Sequence, residues 1–389
     1  MNDVVVGCQY GDCGKSKITD YLISRGNYKI NVRYNGGANA GHTIVLGDQI
    51  FKLHHLPSGA VSDKKVQLFM TNGMLINPVV LCEEIDNLKL NGIDISNRTF
   101  ISDKAHCVMP WHIVEDKATG ASVGTTGRGI GPCVADKINR NKAIRMGDLY
   151  KYIQNMNDDA IIYWNSMLGN GLHEKLSIHK YMECAEKLST LITDTRVSLK
   201  HFVENLGDSD VLFESAHGIH LDIDHGSYPF VTTTGIGPSA IPQATGIPII
   251  KYNRIIGIIK CYATRVGNGP FPSEIEGDIA EHIRIRGSEF GTTTGRPRRI
   301  GWLDFDMTKL AIELTGATEI ALTRADILYG MDKIGIRINN EIKYFNGWNS
   351  IEDKSFESYI KLIEETLGIP VSMVSYGAER NCVREYHNI

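Results

Sequence analysis

The run Gly11-Asp12-Cys13-Gly14-Lys15-Ser16 joins the parts of a phosphate site to a carboxylate that a phosphate site would avoid. Gly-Lys-Ser at the start of a helix offers backbone N–H groups, an ammonium and a hydroxyl to phosphate oxygens. A full Walker A loop also needs a glycine at position 9, where this chain has Gln9. Asp12 adds negative charge where those oxygens should sit. The repulsion is tolerable if a metal bridges carboxylate and phosphate, or if the carboxylate does chemistry. The loop therefore points to phosphoryl transfer with an acid–base group attached. An ordinary tight turn is the competing reading of Gly-Lys-Ser alone, and Cys13 reads as a small packing residue before a reactive thiol.

Further segments are rich in groups that hold anions. Asn35-Gly36-Gly37-Ala38-Asn39-Ala40-Gly41-His42-Thr43 sets His42 on a glycine-rich turn, which favours a functional imidazole over a core one. Gly124-Thr125-Thr126-Gly127-Arg128-Gly129-Ile130-Gly131-Pro132 offers hydroxyls and unhindered N–H groups, and Arg140 follows it. Glu289 to Arg299 holds three threonines and then three arginines within four residues, a receptor for a carboxylate or phosphate. Leu322-Thr323-Arg324-Ala325-Asp326 ends an apolar run with a carboxylate able to accept from guanine N1–H and the 2-amino group. His217 to His225 carries His and Asp at metal-ligand spacings, yet Leu221 and Ile223 alternate with Asp222 and Asp224 as in a strand, against a dedicated transition-metal site.

The elements around these groups alternate in type. Val4-Val5-Val6 predicts a buried parallel strand leading into the loop, and Ile18, Tyr21 and Leu22 have helical spacing after it. Strands are predicted at Tyr28–Val32, Thr43–Val45, Val211–Phe213, Ile255–Ile259 and Pro370–Val374. Asn77-Pro78 opens a helix that Gly92 closes, and Phe356, Tyr359, Ile360, Ile363 and Leu367 mark a late amphipathic helix. The fold class is α/β: a mainly parallel central sheet flanked by helices, with a P-loop-like N-terminal phosphate loop. We expect one domain over 1–389, with a mostly helical insertion at about 147–206.

Composition narrows the function. The chain has 389 residues and a net charge of −4, so it presents no general basic field for nucleic acid. It contains no apolar run long enough to span a membrane and no signal-like N-terminal segment. Eight scattered cysteines without a C-x-x-C pair suit a reducing cytoplasm.

Taken together, these motifs resemble the adenylosuccinate synthetase family over nearly the whole chain. The resemblance rests on Gly11-Asp12-x-Gly14-Lys15, Gly37-x-Asn39-Ala40-Gly41-His42-Thr43, Gly124 to Pro132, Asp222-Ile223-Asp224-His225-Gly226, Thr264-Arg265-Val266-Gly267-x-Gly269-Pro270-Phe271-Pro272 and Thr293-Thr294-Gly295-Arg296-x-Arg298-Arg299-x-Gly301-Trp302. It implies a GTP-dependent ligase that joins L-aspartate to C6 of IMP through a 6-phosphoryl intermediate. On that resemblance Asp12 is the base, His42 and Lys15 act at the transferring phosphate, and Mg²⁺ is held by Asp12 and Gly41. Asn39, Thr126, Arg140, His217 and Thr232 would bind the acceptor nucleotide, with Arg140 crossing the interface of a homodimer. Val266, Thr293, Thr294 and Arg296 would hold aspartate. Gly11, Gly14, Lys15, Ser16, Thr43, Arg298, Arg324, Asp326, Ser375 and Gly377 would bind GTP.

The chain departs from the family pattern near the base. Cys13 replaces Glu, His217 replaces Gln, and Thr233 to Ser239 replaces a different polar segment. Arg324 stands where Lys is usual, and the stretch after Asp326 is short. Phage members of the family act on (d)GMP, with ATP or dATP as a donor option, and often carry a smaller residue in place of the catalytic Asp. Retained Asp12 favours IMP, whereas His217 and the segment after Thr232 favour a changed acceptor. Both acceptors stay open here, as does host cytoplasm for a phage-encoded chain. A GTP-binding switch would have no use for the 292–299 receptor, and a nucleotide kinase would want a glycine at position 9.

Overall fold

The computed structural model describes residues 2–62, 65–120, 122–168, 177–205, 210–248, 251–291 and 295–386. Its centre is a ten-stranded sheet. The spatial order is Ile192–Thr193, Thr99–Ser102, Gln67–Met70, Ile30–Arg33, Val211–Glu214, Asn2–Gly7 (β1), Arg254–Lys260, Glu319–Thr323, Val371–Ser375 and Val383–Glu385. Every neighbouring pair is parallel except the last. The mainly parallel α/β fold expected from the alternating pattern is therefore present.

β1 is apolar throughout because it is covered on both faces. Val5 packs with Ile18, Leu22, Leu68 and Met70 on one side. Val4 and Val6 pack with Ile30, Val32, Phe213 and Ile320 on the other. The helix after the loop, Lys15–Arg25 (α1), starts at left-handed Gly14 and buries Ile18, Leu22 and Ile23. The predicted cap is also present: the Asn77 side chain accepts from the N–H groups of Val79 and Val80 at 3.0 and 3.2 Å.

Parallel strands deliver their following loops to one edge of a sheet. That edge here carries residues 8–16 after β1, 34–42 after Ile30–Arg33, 215–221 after Val211–Glu214 and 324–326 after Glu319–Thr323. A smaller sheet adds the rest. Tyr262–Arg265 runs antiparallel to Arg299–Asp304, with Arg265 opposite Arg299, so Val266 and Arg298 lie side by side at the strand ends.

Two expectations change. The strand predicted from Tyr28 begins at Ile30, because Tyr28 is drawn aside to bond the Asp3 carboxylate and accept from Arg254. The strand-like alternation at 217–224 is a 3₁₀ turn, Ile219–Leu221, followed by a loop. The Asp222 carboxylate builds that loop by accepting from the N–H groups of Asp224, His225 and Ile236, at 3.0, 3.2 and 2.6 Å. The helical segment 147–206 does contain Leu149–Gln154, Asp158–Leu168, Ile178–Leu188 and Thr195–Asn205. It also supplies Ile192–Thr193 as the edge strand of the central sheet. Among the described residues, no helix is long and apolar enough to cross a membrane.

Candidate active site

A cavity of about 470 Å³ opens at the carboxyl edge of the sheet. It brings together Gly11, Asp12, Gly14, Lys15, Ser16, Asn39, Gly41, His42, Thr126, His217, Thr232 and Val266, which come from positions far apart in the chain.

The phosphate loop is held from behind. Thr323 donates to the Cys13 carbonyl at 2.8 Å. The Gln9 amide donates to the carbonyl of Tyr262 at 3.0 Å, and its oxygen accepts from the Lys260 N–H at 3.1 Å. Gln9 is thus a buried brace between β1 and the smaller sheet. Gly218 passes so close that an added Cβ would lie 2.1 Å from the Gln9 carbonyl, which admits only glycine there. Asp12 adopts a left-handed backbone (φ 50°) between two left-handed glycines, Gly11 and Gly14. Lys15 is buried, and its ammonium donates to the His217 carbonyl.

Asp12 rests on a chain of charges. Its Oδ2 lies 3.2 Å from Arg298 Nη2. Arg298 also pairs with Glu289, whose Oε1 accepts from Lys260 at 3.1 Å and Tyr262 at 2.5 Å. Glu289 and Lys260 have no exposed surface. Burial pushes Glu289 up, but Lys260, Arg298 and Arg324 overcome this and hold it at about 2. Burial lowers Lys260 to about 8 against the pull of Glu289.

His42 forms a second buried group. Its Nδ1 is 2.9 Å from Glu214 Oε1 and 3.3 Å from Arg33 Nη1. Ser58 donates to Glu214 through its hydroxyl at 2.6 Å and its N–H at 2.9 Å. Burial, then Arg33, pushes His42 down to about 4, and Glu214 only partly opposes them. Burial acts to raise Glu214, yet His42 and Arg33 hold it at about 2. The neutral imidazole therefore donates from Nδ1 to an ionised Glu214, leaving a lone pair on Nε2.

Several polar atoms here have no partner among the described residues: His217 Nδ1, Asn39 Oδ1 and the Thr233 hydroxyl. Buried polar atoms without partners are costly, so their collection around one cavity marks where a ligand is to bond. Burial, then Lys15, pushes His217 down to about 3, so its ring meets a ligand uncharged.

Other expected residues lie outside the cavity lining. Thr43 is on the exposed side of its strand, opposite buried His42. Arg140 ends the helix Ile130–Asn139 at the surface, and Arg296 is exposed. Ser375 and Gly377 accept from Lys17 of α1 instead, and the charges of Arg324 and Asp326 act on the same ammonium. Thr293 and Thr294 lie outside the described residues. Sequence reasoning assigned no role to Glu214, Arg33, Ser58, Glu289, Lys260 or Lys17. A signal existed for three of them: Arg33, Glu214 and Lys260 are charges at the carboxyl ends of buried strands.

A family model described as adenylosuccinate synthetase matches residues 4–344. The chain is 37% identical to the adenylosuccinate synthetase of Lawsonia intracellularis over 98% of both chains. It is 36% identical to that of Thermodesulfovibrio yellowstonii over 97% of both. The chain belongs to the adenylosuccinate synthetase family. Members of the family are ligases that form a C–N bond, and the fold agrees: the fully ligated adenylosuccinate synthetase of Plasmodium falciparum superposes with a TM-score of 0.89 at 31% identity, covering 99% of each chain. A cyanophage S-2L succinoaminodeoxyadenylate synthetase, bound to dGMP and dATP, shares the fold with a TM-score of 0.70 at 22% identity, over 99% of this chain and 95% of that one.

The residues also suit a magnesium ion. Mg²⁺ prefers hard oxygen donors and keeps several waters and phosphate oxygens, so one or two protein oxygens suffice. The Asp12 carboxylate and Gly41 line the same cavity beside Lys15.

Proposed function

We propose that the chain joins L-aspartate to C6 of IMP, with GTP as phosphoryl donor, to make adenylosuccinate. The observation that carries this reading is the placement of Asp12 on Arg298 in the same cavity as His42 and Lys15. A carboxylate anchored beside a phosphate loop can take the N1 proton of a 6-oxopurine while O6 attacks the γ-phosphorus. The P–O6 bond forms and the bond to GDP breaks. The amine of aspartate then attacks C6, and phosphate leaves.

His42 lines the cavity with Nδ1 engaged by Glu214, which leaves its Nε2 lone pair for the chemistry. The charge of bound phosphates favours a proton on Nε2, and Glu214 holds the opposite nitrogen of the resulting imidazolium. The ring then donates to the transferring group. Lys15 and the N–H groups at the start of α1 balance phosphate charge. Mg²⁺, held by Asp12 and the Gly41 carbonyl, would supply further charge neutralisation. Thr293, Thr294, Arg296 and Val266 would receive aspartate; Asn39, Thr126, Thr232 and His217 would receive the acceptor nucleotide. Thr43, Arg298, Arg324, Asp326, Ser375 and Gly377 would serve GTP. Arg140, exposed at its helix end, suits the acceptor phosphate of a partner protomer in a homodimer. The 1–389 chain works as one catalytic unit with 147–206 as its helical insertion, and its soluble nucleotide substrates fit the cytoplasm.

A second reading has an observation of its own. His217 presents an Nδ1 with no partner among the described residues, where the family pattern has an amide, which supports (d)GMP as acceptor, with ATP or dATP as donor. The test is turnover of IMP, GMP and dGMP with aspartate, Mg²⁺ and either GTP or ATP. Adenylosuccinate from IMP and GTP is expected. Turnover with dGMP alone replaces the acceptor assignment, and phosphate release that ignores aspartate overturns the ligase.

A further inference from the structure

One face of α1 grips the C-terminal strand pair. Lys17, Asp20 and Tyr21 stand at i, i+3 and i+4, a spacing that places three side chains together on a helix. The Lys17 ammonium donates to the Ser375 hydroxyl at 2.8 Å, to the Cys382 carbonyl at 3.0 Å and to the Gly377 carbonyl. An ammonium has three hydrogens, so three acceptors saturate it. Asp20 is fully buried and takes Arg380 in a two-point pair, Nε to Oδ2 at 2.6 Å and Nη2 to Oδ1 at 2.8 Å. Tyr21 donates to Glu385 at 3.0 Å. These contacts span the turn between Val371–Ser375 and Val383–Glu385 from end to end.

The same helix begins at Gly14 and Lys15, in the phosphate loop. Its first turns therefore touch two places: the loop that would hold the donor's phosphates, and the rim formed by Ser375 and Gly377. Asp326, whose buried Oδ1 has no partner among the described residues, lies within electrostatic reach of Lys17. We propose that Lys17 is a positioning residue for the donor nucleotide, with the Asp20–Arg380 pair as a second clasp, so that one rigid helix sets the distance between the donor's phosphate end and its base end. This rests on the reading that Asp326, Ser375 and Gly377 face the guanine base. Lys17 does not itself contact the base, since its hydrogens are all engaged by the rim. Its action is to hold Ser375 and Gly377 at a fixed offset from Lys15.

The experiment uses the full chain and the variants Lys17→Met, Lys17→Arg, Arg380→Gln and Asp326→Asn. Each is measured for kcat and for KM of GTP, acceptor nucleotide and aspartate, with melting by calorimetry. Lys17→Met is expected to raise the GTP KM about ten-fold or more, with kcat within about three-fold and the other two KM values unchanged. Lys17→Arg, which keeps donors and charge, recovers most of that loss. Arg380→Gln shifts the GTP KM in the same direction by less. A folded Lys17→Met or Arg380→Gln enzyme with an ordinary GTP KM overturns the proposal. So does a loss spread evenly over all three substrates, which is the signature of a plain structural staple. If Lys17→Met fails to fold, Arg380→Gln carries the test. Asp326→Asn addresses the underlying reading separately: it should weaken the preference for GTP over ATP, and an unchanged preference removes the base site while leaving the clasp as observed.

Discussion

Arg298 reaches Asp12 with one nitrogen at 3.2 Å while its other end is paired to Glu289. Asp12 is partly exposed to the cavity, whereas Arg298 and Glu289 are buried. The carboxylate is therefore mounted on a charge-compensated base rooted in the core, although its own backbone lies in a glycine-rich loop. Loops that carry reacting groups lose catalytic power when those groups wander by about 1 Å, so this mounting bears directly on catalysis.

Replacing the mounted group should remove chemistry and spare the fold. Asp12→Ala is expected to lower kcat by about 10²–10⁴-fold, the range of a general base. Melting temperature should stay near that of the parent, because Asp12 is on the cavity surface. An active Asp12→Ala enzyme would remove the base from the mechanism.

Replacing the foundation should do the opposite first. Glu289→Gln leaves Lys260 and Arg298 buried with less negative charge between them. Breaking a buried pair on one side costs about 3–5 kcal/mol. Urea unfolding should show that loss as a lower midpoint. A midpoint equal to the parent's would mean that water or another acceptor replaces the carboxylate.

How much of this could be read before folding differs by residue. β1 was readable because Val4, Val5 and Val6 form a continuous apolar run, which a strand buried on both faces requires. The Asn77 cap was readable because capping is local. Gln9 was not. In sequence it is a missing glycine, and its meaning comes from Lys260 and Tyr262, more than 250 positions away. The base under Asp12 was hidden likewise, since its members stand at 12, 260, 289 and 298. The segment 217–224 misled for another reason: its period-two pattern suits a strand, but Asp222 satisfies three local N–H groups and turns the chain instead.

Stability should fall in mild acid, in two stages. His42 is held at about 4 and His217 at about 3 in the fold, against an ordinary value of about 6.5 when unfolded. The unfolded chain thus binds more protons below that value, so stability declines as pH drops from about 6.5 toward about 4. Glu214 and Glu289, held at about 2, add a second loss. Their contribution is complete above the ordinary carboxylate value of about 4.3 and disappears as pH falls toward about 2. His217→Gln should flatten the first stage, because an amide does not titrate. Melting temperatures at intervals from pH 7.5 to about 4 measure this, and equal slopes for parent and variant would place the acid sensitivity elsewhere.

Glu214 offers the sharpest check on the role given to His42. The carboxylate sits 2.9 Å from Nδ1 and is braced by both donors of Ser58. Glu214→Gln keeps the shape and leaves an oxygen able to accept from Nδ1, so the ring stays oriented. What it removes is the negative charge that favours the doubly protonated ring when phosphates arrive. If His42 donates from Nε2 to the transferring phosphoryl group, kcat should fall about 10–10²-fold while the KM for each substrate moves little. The alkaline limb of the kcat profile should also shift to lower pH, since the ring then holds its second proton less tightly. A Glu214→Gln enzyme with normal kcat and an unmoved profile would show that His42 works as a neutral group, and the donor to the transferring phosphate would have to be Lys15 alone.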